Sequence, residues 1–572
     1  MADRANVLVP YVPTAACDWD TQAPDSRWRA VEGTLVFVDI SGFTNLSERL
    51  AEKGRIGAEE LTSVLNYVFG QMLDVVYQRG GSLLKFGGDA LLLMFTTDDH
   101  VMQACAATVE MRSVLRSASK EPTSVGRIDL RMSSGIHTGK IDLFLVGDSH
   151  RELIVTGPTA SITTDMEATA DAGEIVISRA VAESIPRSFV GDAKGNGWLL
   201  RKRKIDQPQC GWDPRSAHTY DELAQFVSVG LRDHLAAGIE DSEHRIATVA
   251  FLKFKGIDEV MAALGPEEVA VMLDDLVSKV QRAVDEEGIT FLASDIDADG
   301  GKLIFVAGIP SSQHDDEGRV LRAARSILDS GCRLPVRIGV NRGHVFSGNV
   351  GTFFRRTYTV MGDTVNLAAR LMAAAHPGEV YSSPSVLSLS STLFRTEALE
   401  PFYVKGKESP VQAFSVWEET GVRPPKTTSD LPFRGREAEL EMLVGIVNTC
   451  SRVGHGGMMT IVGATGVGKS RLIAEVLERC SGMDTLIVQA EPAGQANPYW
   501  AFRDPLRRRL EIDRASQQEM TQALERKINE LAPDLLQMVP LLGDVLHIAV
   551  PDNETTAAIE SQFRPHRTAE AL

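Results

Sequence analysis

Long apolar runs are missing from this sequence. The longest, Ala90 to Phe95, falls far short of the ~18 residues a membrane-spanning helix needs, so no span is expected. The N-terminus lacks a basic segment followed by an apolar one, which argues against a signal peptide. Cysteine is scarce and scattered. Cys17, Cys105, Cys210, Cys332, Cys450 and Cys480 stand singly, and no pair has metal-ligand or redox spacing. They read as buried thiols in a reducing cytosol, so the expected location is cytoplasmic. A surplus of positive charge is absent too. Lysine and arginine number 59 against 77 aspartates and glutamates, a net charge of −18. That excludes a general nucleic-acid binder and leaves room for a local basic pocket. The one basic run, Arg201-Lys202-Arg203-Lys204, has no aromatic interleaving and reads as a solvated strand end.

What is present is ordinary globular material, 43% hydrophobic and 24% charged over 572 residues. At ~150 residues per domain this predicts three or four domains. A repeat organises the chain. Leu35-Val36-Phe37-Val38-Asp39-Ile40-Ser41-Gly42-Phe43 resembles Val249-Ala250-Phe251-Leu252-Lys253-Phe254-Lys255-Gly256-Ile257. Gly135-Ile136-His137-Thr138-Gly139 echoes Gly339-Val340-Asn341-Arg342-Gly343, and Gly173-Glu174-Ile175-Val176 echoes Gly378-Glu379-Val380-Tyr381. Order and spacing are kept, so the chain carries a duplication. In the first copy, periodicity predicts strands over 34–40, 82–86, 90–95, 128–136 and 140–146, with helices over 57–78 and 101–117. Strand–helix–strand–strand–helix–strand is the ferredoxin-like α+β pattern, and the second copy repeats it from 245 to about 416.

The expected organisation is an N-terminal segment 1–30, a first repeat 31–204, a connector 205–243, a second repeat 244–418, a linker 419–432 and a third domain 433–572. The connector holds an expected amphipathic helix over 220–237. The linker belongs to a Pro/Thr-rich stretch beginning at Glu418.

Two carboxylates in the first repeat sit where chemistry could use them. Asp39 ends an apolar strand, and Asp89 lies in the turn Lys85-Phe86-Gly87-Gly88-Asp89 between two others. Either alone reads as a solvated or helix-capping aspartate. Adjacent strand ends would bring both together, and a pair of carboxylates needs a cation such as Mg²⁺ to neutralise it. In the second repeat, Thr357-Tyr358-Thr359-Val360-Met361-Gly362-Asp363-Thr364-Val365-Asn366 runs from strand through turn into helix. Asn366 and Arg370, four apart, share one helix face. An arginine there can stabilise charge on a phosphorus centre.

Asp39 and Asp89 with Asn366 and Arg370 resemble the active site of class III adenylyl/guanylyl cyclases. The tandem, span-free layout is similar to the soluble adenylyl cyclase branch, over about residues 31–418. The resemblance implies two units packed head to tail, and attack of a ribose 3′-hydroxyl on the α-phosphate of ATP with loss of pyrophosphate. It implies two Mg²⁺ or Mn²⁺ ions on Asp39, Asp89 and the Ile40 carbonyl. It makes Asn366 and Arg370 the transition-state pair, Thr359 and Val360 substrate-binding, and Lys405 the triphosphate ligand. The losses sort between the copies: Lys253 stands at the Asp39 position, Gly301 near the Asp89 position, and Ser161 and Asp165 where Asn366 and Arg370 stand. One live site and one degenerate pocket, the latter with Lys85, Ser161, Thr164 and Asp165, are therefore expected within one chain. Changes at Lys253, Ser161 or Asp165 should be nearly silent. Where many members place an adenine-reading lysine, this chain has Asp297-Ala298-Asp299-Gly300-Gly301, with the first lysine at Lys302, so loose purine choice is expected. Thr164 stands where bicarbonate-stimulated members have an arginine, which argues against that stimulus.

The third domain carries Gly463-Ala464-Thr465-Gly466-Val467-Gly468-Lys469-Ser470, which fits the P-loop pattern between an expected strand 459–462 and an expected helix 471–480. Gly463, Gly466 and Gly468 would cradle phosphates, Lys469 would reach the terminal phosphates and Ser470 would hold Mg²⁺, giving a second nucleotide site. The preceding Phe433-Arg434-Gly435-Arg436-Glu437 resembles the entry of AAA-like NTPase modules. No strand ending in paired acids follows, so this domain reads as incomplete. The expected function is an adenylate cyclase in intracellular signalling. The alternatives are a guanylate cyclase, or a degenerate cyclase scaffold regulating the P-loop domain.

Overall fold

Leu35 to Val38 are buried on both faces of their strand, as a strand at the centre of a covered sheet must be. That strand, Trp28–Ser41 (β1), organises the first repeat in the computed structural model. The structure describes residues 7–22, 26–51, 55–118, 122–127, 130–210, 223–236, 242–313, 315–404, 409–423, 433–463, 467–480, 483, 485–488, 499–510, 512, 517–546, 548, 550–559 and 563–572.

After β1 come helices Phe43–Ala51 (α1) and Arg55–Gln78 (α2), strands Gly81–Gly87 (β2) and Ala90–Phe95 (β3), helix His100–Ala118 (α3) and strand Arg131–Val146 (β4). Strand Glu152–Val155 (β5), helix Pro158–Thr169 (α4) and strands Ile175–Ile177 (β6), Val190–Lys194 (β7) and Gly197–Leu200 (β8) complete the sheet. Its order is β2-β3-β1-β4-β6-β8-β7, with β5 paired to β4. The first four positions are those of the expected ferredoxin-like unit.

The connector contributes helix Val229–Ala236 (α5). The second repeat follows with β9 (Glu243–Lys255), α6 (Ile257–Leu264), α7 (Pro266–Glu286), β10 (Thr290–Asp297), β11 (Gly300–Ala307), α8 (Asp316–Asp329), β12 (Val336–Gly351), β13 (Arg356–Met361) and α9 (Asp363–Ala374). It ends with β14 (Val380–Ser382), β15 (Thr392–Ala398) and β16 (Phe414–Val422). Its sheet order, β10-β11-β9-β12-β14-β16-β15 with β13 on β12, repeats the first strand for strand. Each repeat has its own core beneath its helices. A further cluster joins the two sheets: Leu35, Phe37 and Leu92 from one meet Val249, Phe251 and Val306 from the other.

Three expectations change. The strands read over 128–136 and 140–146 are one strand from Arg131 onward, because Gly139 lies opposite Gly33 and the ladder runs through both. A Cβ on Gly33 would stand 2.6 Å from the Phe95 carbonyl oxygen, so a side chain has no room there. The connector helix is shorter than 220–237. Residues 225–227 form a turn before α5, although Leu223, Val227, Leu231 and Leu235 all bury as an amphipathic pattern demands. Finally, the first part of the expected linker is the end of β16, where Val422 pairs with Thr392.

The C-terminal compact unit, 424–572, contains helices Glu437–Val453 (α10) and Lys469–Arg479 (α11). The expected strand over 459–462 is not one, and no strand occurs among the unit's described residues. A parallel strand exists only when distant neighbours pair with it, and none of the described residues does so here. Among the described residues, no helix is long and apolar enough to cross a membrane. All six cysteines are free. Only Cys17 and Cys105 are fully buried, so the expectation of buried thiols holds for two of them.

Candidate active site

The register of β1 and β3 sets Asp39 opposite Ala90, the residue after Asp89. The Ile40 N–H donates to the Asp89 carbonyl at 3.3 Å, which ties the turn to the end of β1. Gly88 turns the chain there with φ 72°, a conformation glycine adopts freely. The Asp89 carboxyl is pushed up to about 7, by burial first, then by the charges of Asp39 and Asp295. Crowded carboxylates of this kind favour a cation. Among the described residues no cluster of three or more such ligands forms. A metal would therefore rest on Asp39, Asp89 and backbone oxygen such as the Ile40 carbonyl, a hard-oxygen set that fits Mg²⁺ or Mn²⁺.

Asp89 lines a cavity of about 200 Å³ whose other wall comes from the second repeat: Thr359 and Val360 on β13, Gly362, and Asn366 on α9. The chain leaves β13 at Met361, turns at Gly362 with φ 128°, and enters α9 with the Asn366 N–H donating to the Gly362 carbonyl at 3.2 Å. This turn aims the first turn of α9 at the cavity. Arg370, one turn later, is not among the lining residues, and its Nη1 is buried without a hydrogen-bond partner. Lys405 lies outside the described residues.

Two lining residues had no role in the sequence reading: Asp295 on β10, and Lys302 on β11, noted there only as the first lysine past the expected positions. The two-residue turn at 298–299 pairs Asp295 with Lys302 across the hairpin, so register arithmetic could have found them. Lys302 Nζ lies 3.2 Å from Asp297 Oδ2 and 3.9 Å from Asp295 Oδ2, and Lys253 Nζ donates to Asp297 Oδ2 at 2.7 Å. Burial opposes the charge on Lys302, but Asp295, Asp297 and Asp39 outweigh it and raise its pKa. A lysine thus reaches the cavity from β11, one residue past the stretch where it was sought.

The degenerate pocket differs from expectation in membership. By register on the central strand Gly301, opposite Phe254 and next to the Lys253–Lys302 pair, holds the position of Asp89 as expected, and the longer β10–β11 hairpin carries Asp299 in its turn. The Asp299 carboxylate accepts from the N–H groups of Gly256 and Asp258 at 3.2 and 3.0 Å, capping the entry to α6. Its own N–H donates to Ser161 Oγ at 2.8 Å. Thr164 donates to the Ala160 carbonyl at 3.0 Å, and Asp165 is exposed. Lys85 is elsewhere. Its ammonium engages Glu152 and donates to Ser294 Oγ at 2.7 Å, in a separate cavity of about 100 Å³ that Ser161, Thr164 and Asp165 do not line.

In the C-terminal unit, Gly468 caps α11 at φ 92°, and Lys469 and Ser470 form its first turn. Lys469 Nζ donates to the Gly463 carbonyl at 2.8 Å. Gly466 lies outside the described residues.

Residues 29–200 and 239–416 each match the adenylate and guanylate cyclase catalytic domain, and residues 432–568 match the AAA ATPase domain. Adenylate cyclase type 10 of Oryctolagus cuniculus is 24% identical over 643 residues, covering 100% of this chain and 38% of the relative. The Homo sapiens protein of that name is 23% identical over 580 residues, covering 91% of this chain and 35% of the relative. The chain thus spans less than two-fifths of the length of these relatives. Among solved structures, a class III adenylyl cyclase-like ATP-binding protein from Pseudomonas aeruginosa aligns at 14% identity and TM-score 0.49, over 68% of this chain and 93% of that one. The adenylyl cyclase CyaB from P. aeruginosa aligns at 25% identity and TM-score 0.28, over 31% of this chain and 96% of that one. With the cyclase catalytic domain matched twice over more than half its length, the chain belongs to the adenylate and guanylate cyclase family.

Proposed function

We propose that the chain is an adenylate cyclase, forming cyclic AMP and pyrophosphate from ATP at one site shared by its two repeats. The observation that carries this reading is a single cavity lined by Asp89, with Asp39 beside it, on one side and by Thr359, Val360 and Asn366 on the other. Bound to Asp39, Asp89 and the Ile40 carbonyl, two divalent ions would supply positive charge for the attacking 3′-oxygen and the leaving pyrophosphate. Asn366 orients the ribose, and Arg370 turns toward the α-phosphate as charge develops there. Thr359, Val360 and Lys302 meet the base edge, and Lys405 holds the triphosphate tail. The glycine loop around Lys469 binds a second nucleotide. Six free cysteines fit a cytoplasmic protein.

A second reading has one observation in its favour. Asp295 places a carboxylate in the cavity, and a carboxylate can accept from both N1–H and the 2-amino group of guanine, whereas adenine offers a single amino group. The test is direct. Purified protein is incubated with ATP or GTP, each with Mg²⁺ and with Mn²⁺, and cyclic product is measured. Cyclic AMP as the main product supports the proposal, cyclic GMP in excess favours the second reading, and no product from either nucleotide defeats both.

A further inference from the structure

A cavity of about 470 Å³ opens in the first repeat where α3 ends and β4 begins. Arg112, Arg116, Arg131 and Lys202 line it, and among the described residues no acidic one does. Cations gathered in a folded chain ordinarily meet carboxylates, yet among the described residues Glu110, Asp171 and Glu174 are engaged elsewhere. Glu110 accepts from Arg79 at 2.9 and 2.5 Å. Asp171 and Glu174 are paired with Lys194. Arg112, Arg116 and Lys202 have no ion pair among the described residues.

Arg112 is the decisive member. It is only 6% exposed, and its Nη1 has no hydrogen-bond partner. Buried guanidinium donors are normally satisfied, so an orphan on a side chain that lines a cavity marks a missing acceptor. Burial and the charge of Arg116, one turn along α3, both lower the Arg112 pKa, so the pair is held at an electrostatic cost. The negative end of the α3 dipole eases that repulsion but leaves Nη1 without an acceptor. Met132 and Gly173 give the cavity an uncharged floor. The Gly173 N–H already donates to the Met132 carbonyl at 2.8 Å, so the donors left for an anion are those of Arg112, Arg116 and Lys202.

We propose that this cavity binds a small multivalent oxyanion, of the inorganic phosphate or pyrophosphate type, at a site separate from the nucleotide cavity. A guanidinium fork matches the oxygens of such an anion, and Arg116 and Lys202 supply charge at the rim. A nucleic-acid strand is a poor fit, because among the described residues no aromatic side chain lines the cavity for a base to stack on. No lining residue is shared with the nucleotide cavity. The two are nevertheless close in the sheet: Arg131 and Met132 pair with Ser41 and Ile40, next to Asp39. The site also gives the basic run at 201–204 a role, since Lys202 belongs to it.

The test uses the full chain carrying Lys469→Ala, so that the glycine loop does not compete, with EDTA present to keep divalent cations from Asp39 and Asp89. Calorimetric titrations with inorganic phosphate and with pyrophosphate, and thermal unfolding in each against sodium chloride of equal ionic strength, are the readouts. Saturable binding of one or both anions at one per chain, with a rise in Tm that chloride does not reproduce, is expected. Arg116→Ala with Lys202→Ala, both at the exposed rim, should weaken binding at least tenfold, and Arg112→Met should abolish it. Should Arg112→Met fail to fold, the rim pair alone decides. Undiminished binding in the rim variant, no saturable heat from either anion, or an equal stabilisation by chloride overturns the proposal.

Discussion

Single residues divide into those that make charge and those that answer it. Asp39 and Asp89 are crowded enough that the Asp89 carboxyl is pushed up to about 7, so removing one charge removes the reason for a cation to settle there. Asp39→Asn and Asp89→Asn should each reduce cyclase turnover to background, with excess Mn²⁺ restoring a fraction at most. Arg370→Ala should lower kcat by roughly 10²–10³ with a small change in KM, the mark of a donor that acts on the transition state. Steady-state kinetics at saturating metal separate the two cases; an Arg370→Ala defect confined to KM would assign that residue to ground-state binding. Purine choice belongs to Asp295 and Lys302. Asp295→Ala should raise the ATP-to-GTP ratio of kcat/KM, by a factor within the ~10–200-fold that one pocket contact supplies. An unchanged ratio would remove Asp295 from base recognition.

Elements decided what could be read from sequence. Strands and helices carrying Asp39, Asp89 and Asn366 were legible because their periodicity is local and their turns are marked by Gly88 and Gly362. Pairing across strands was less legible. The sequence reading sought a lysine along 297–301, whereas the hairpin register brings Lys302, one residue further along β11, beside Asp295. The same register makes Lys253 more than a relic. It stands on β9 and donates to Asp297, which also holds Lys302, so a residue read from the sequence as part of the degenerate pocket supports one in the live cavity. Lys253→Ala should therefore raise KM for nucleotide several-fold, where the sequence alone suggested silence. Lys253→Arg, which keeps the charge on Asp297, should recover most of the loss. Equal KM values in wild type and Lys253→Ala would show that Asp297 holds Lys302 unaided.

At the scale of the whole molecule, a shared site requires the two repeats to hold a fixed relation, and buried polar contacts add to the apolar cluster between their sheets. Arg355 of the second repeat donates to the Leu83 and Leu84 carbonyls of the first, each at 3.4 Å. Lys85 and Glu152 of the first repeat meet Ser294 of the second, with Ser294 Oγ donating to Glu152 Oε1 at 2.6 Å. None of this clamp was legible, since Lys85 was assigned to the degenerate pocket and Glu152 carries no motif. Its electrostatics give a signed prediction. Burial alone would raise the Glu152 pKa, but Lys85 and His150 outweigh it and hold the carboxyl well below the usual range. A carboxylate with a depressed folded pKa adds stability that is complete above its unfolded value of about 4.3 and is lost as pH falls below it. The lysine and the glutamate side chains are each 12% exposed, so neither is well solvated if left alone. Glu152→Gln strands the Lys85 charge and should cost roughly 3–5 kcal/mol at neutral pH, measured by urea unfolding of residues 1–423 or of the full chain. It should also flatten the fall in stability between about pH 5 and pH 3, because the group that takes up the proton is gone. Glu152→Gln with Lys85→Met removes both charges and should recover much of the loss, since no buried ion remains unpaired. A Glu152→Gln chain as stable as wild type at pH 7, with an unchanged acid limb, would mean that the apolar cluster alone holds the repeats in register.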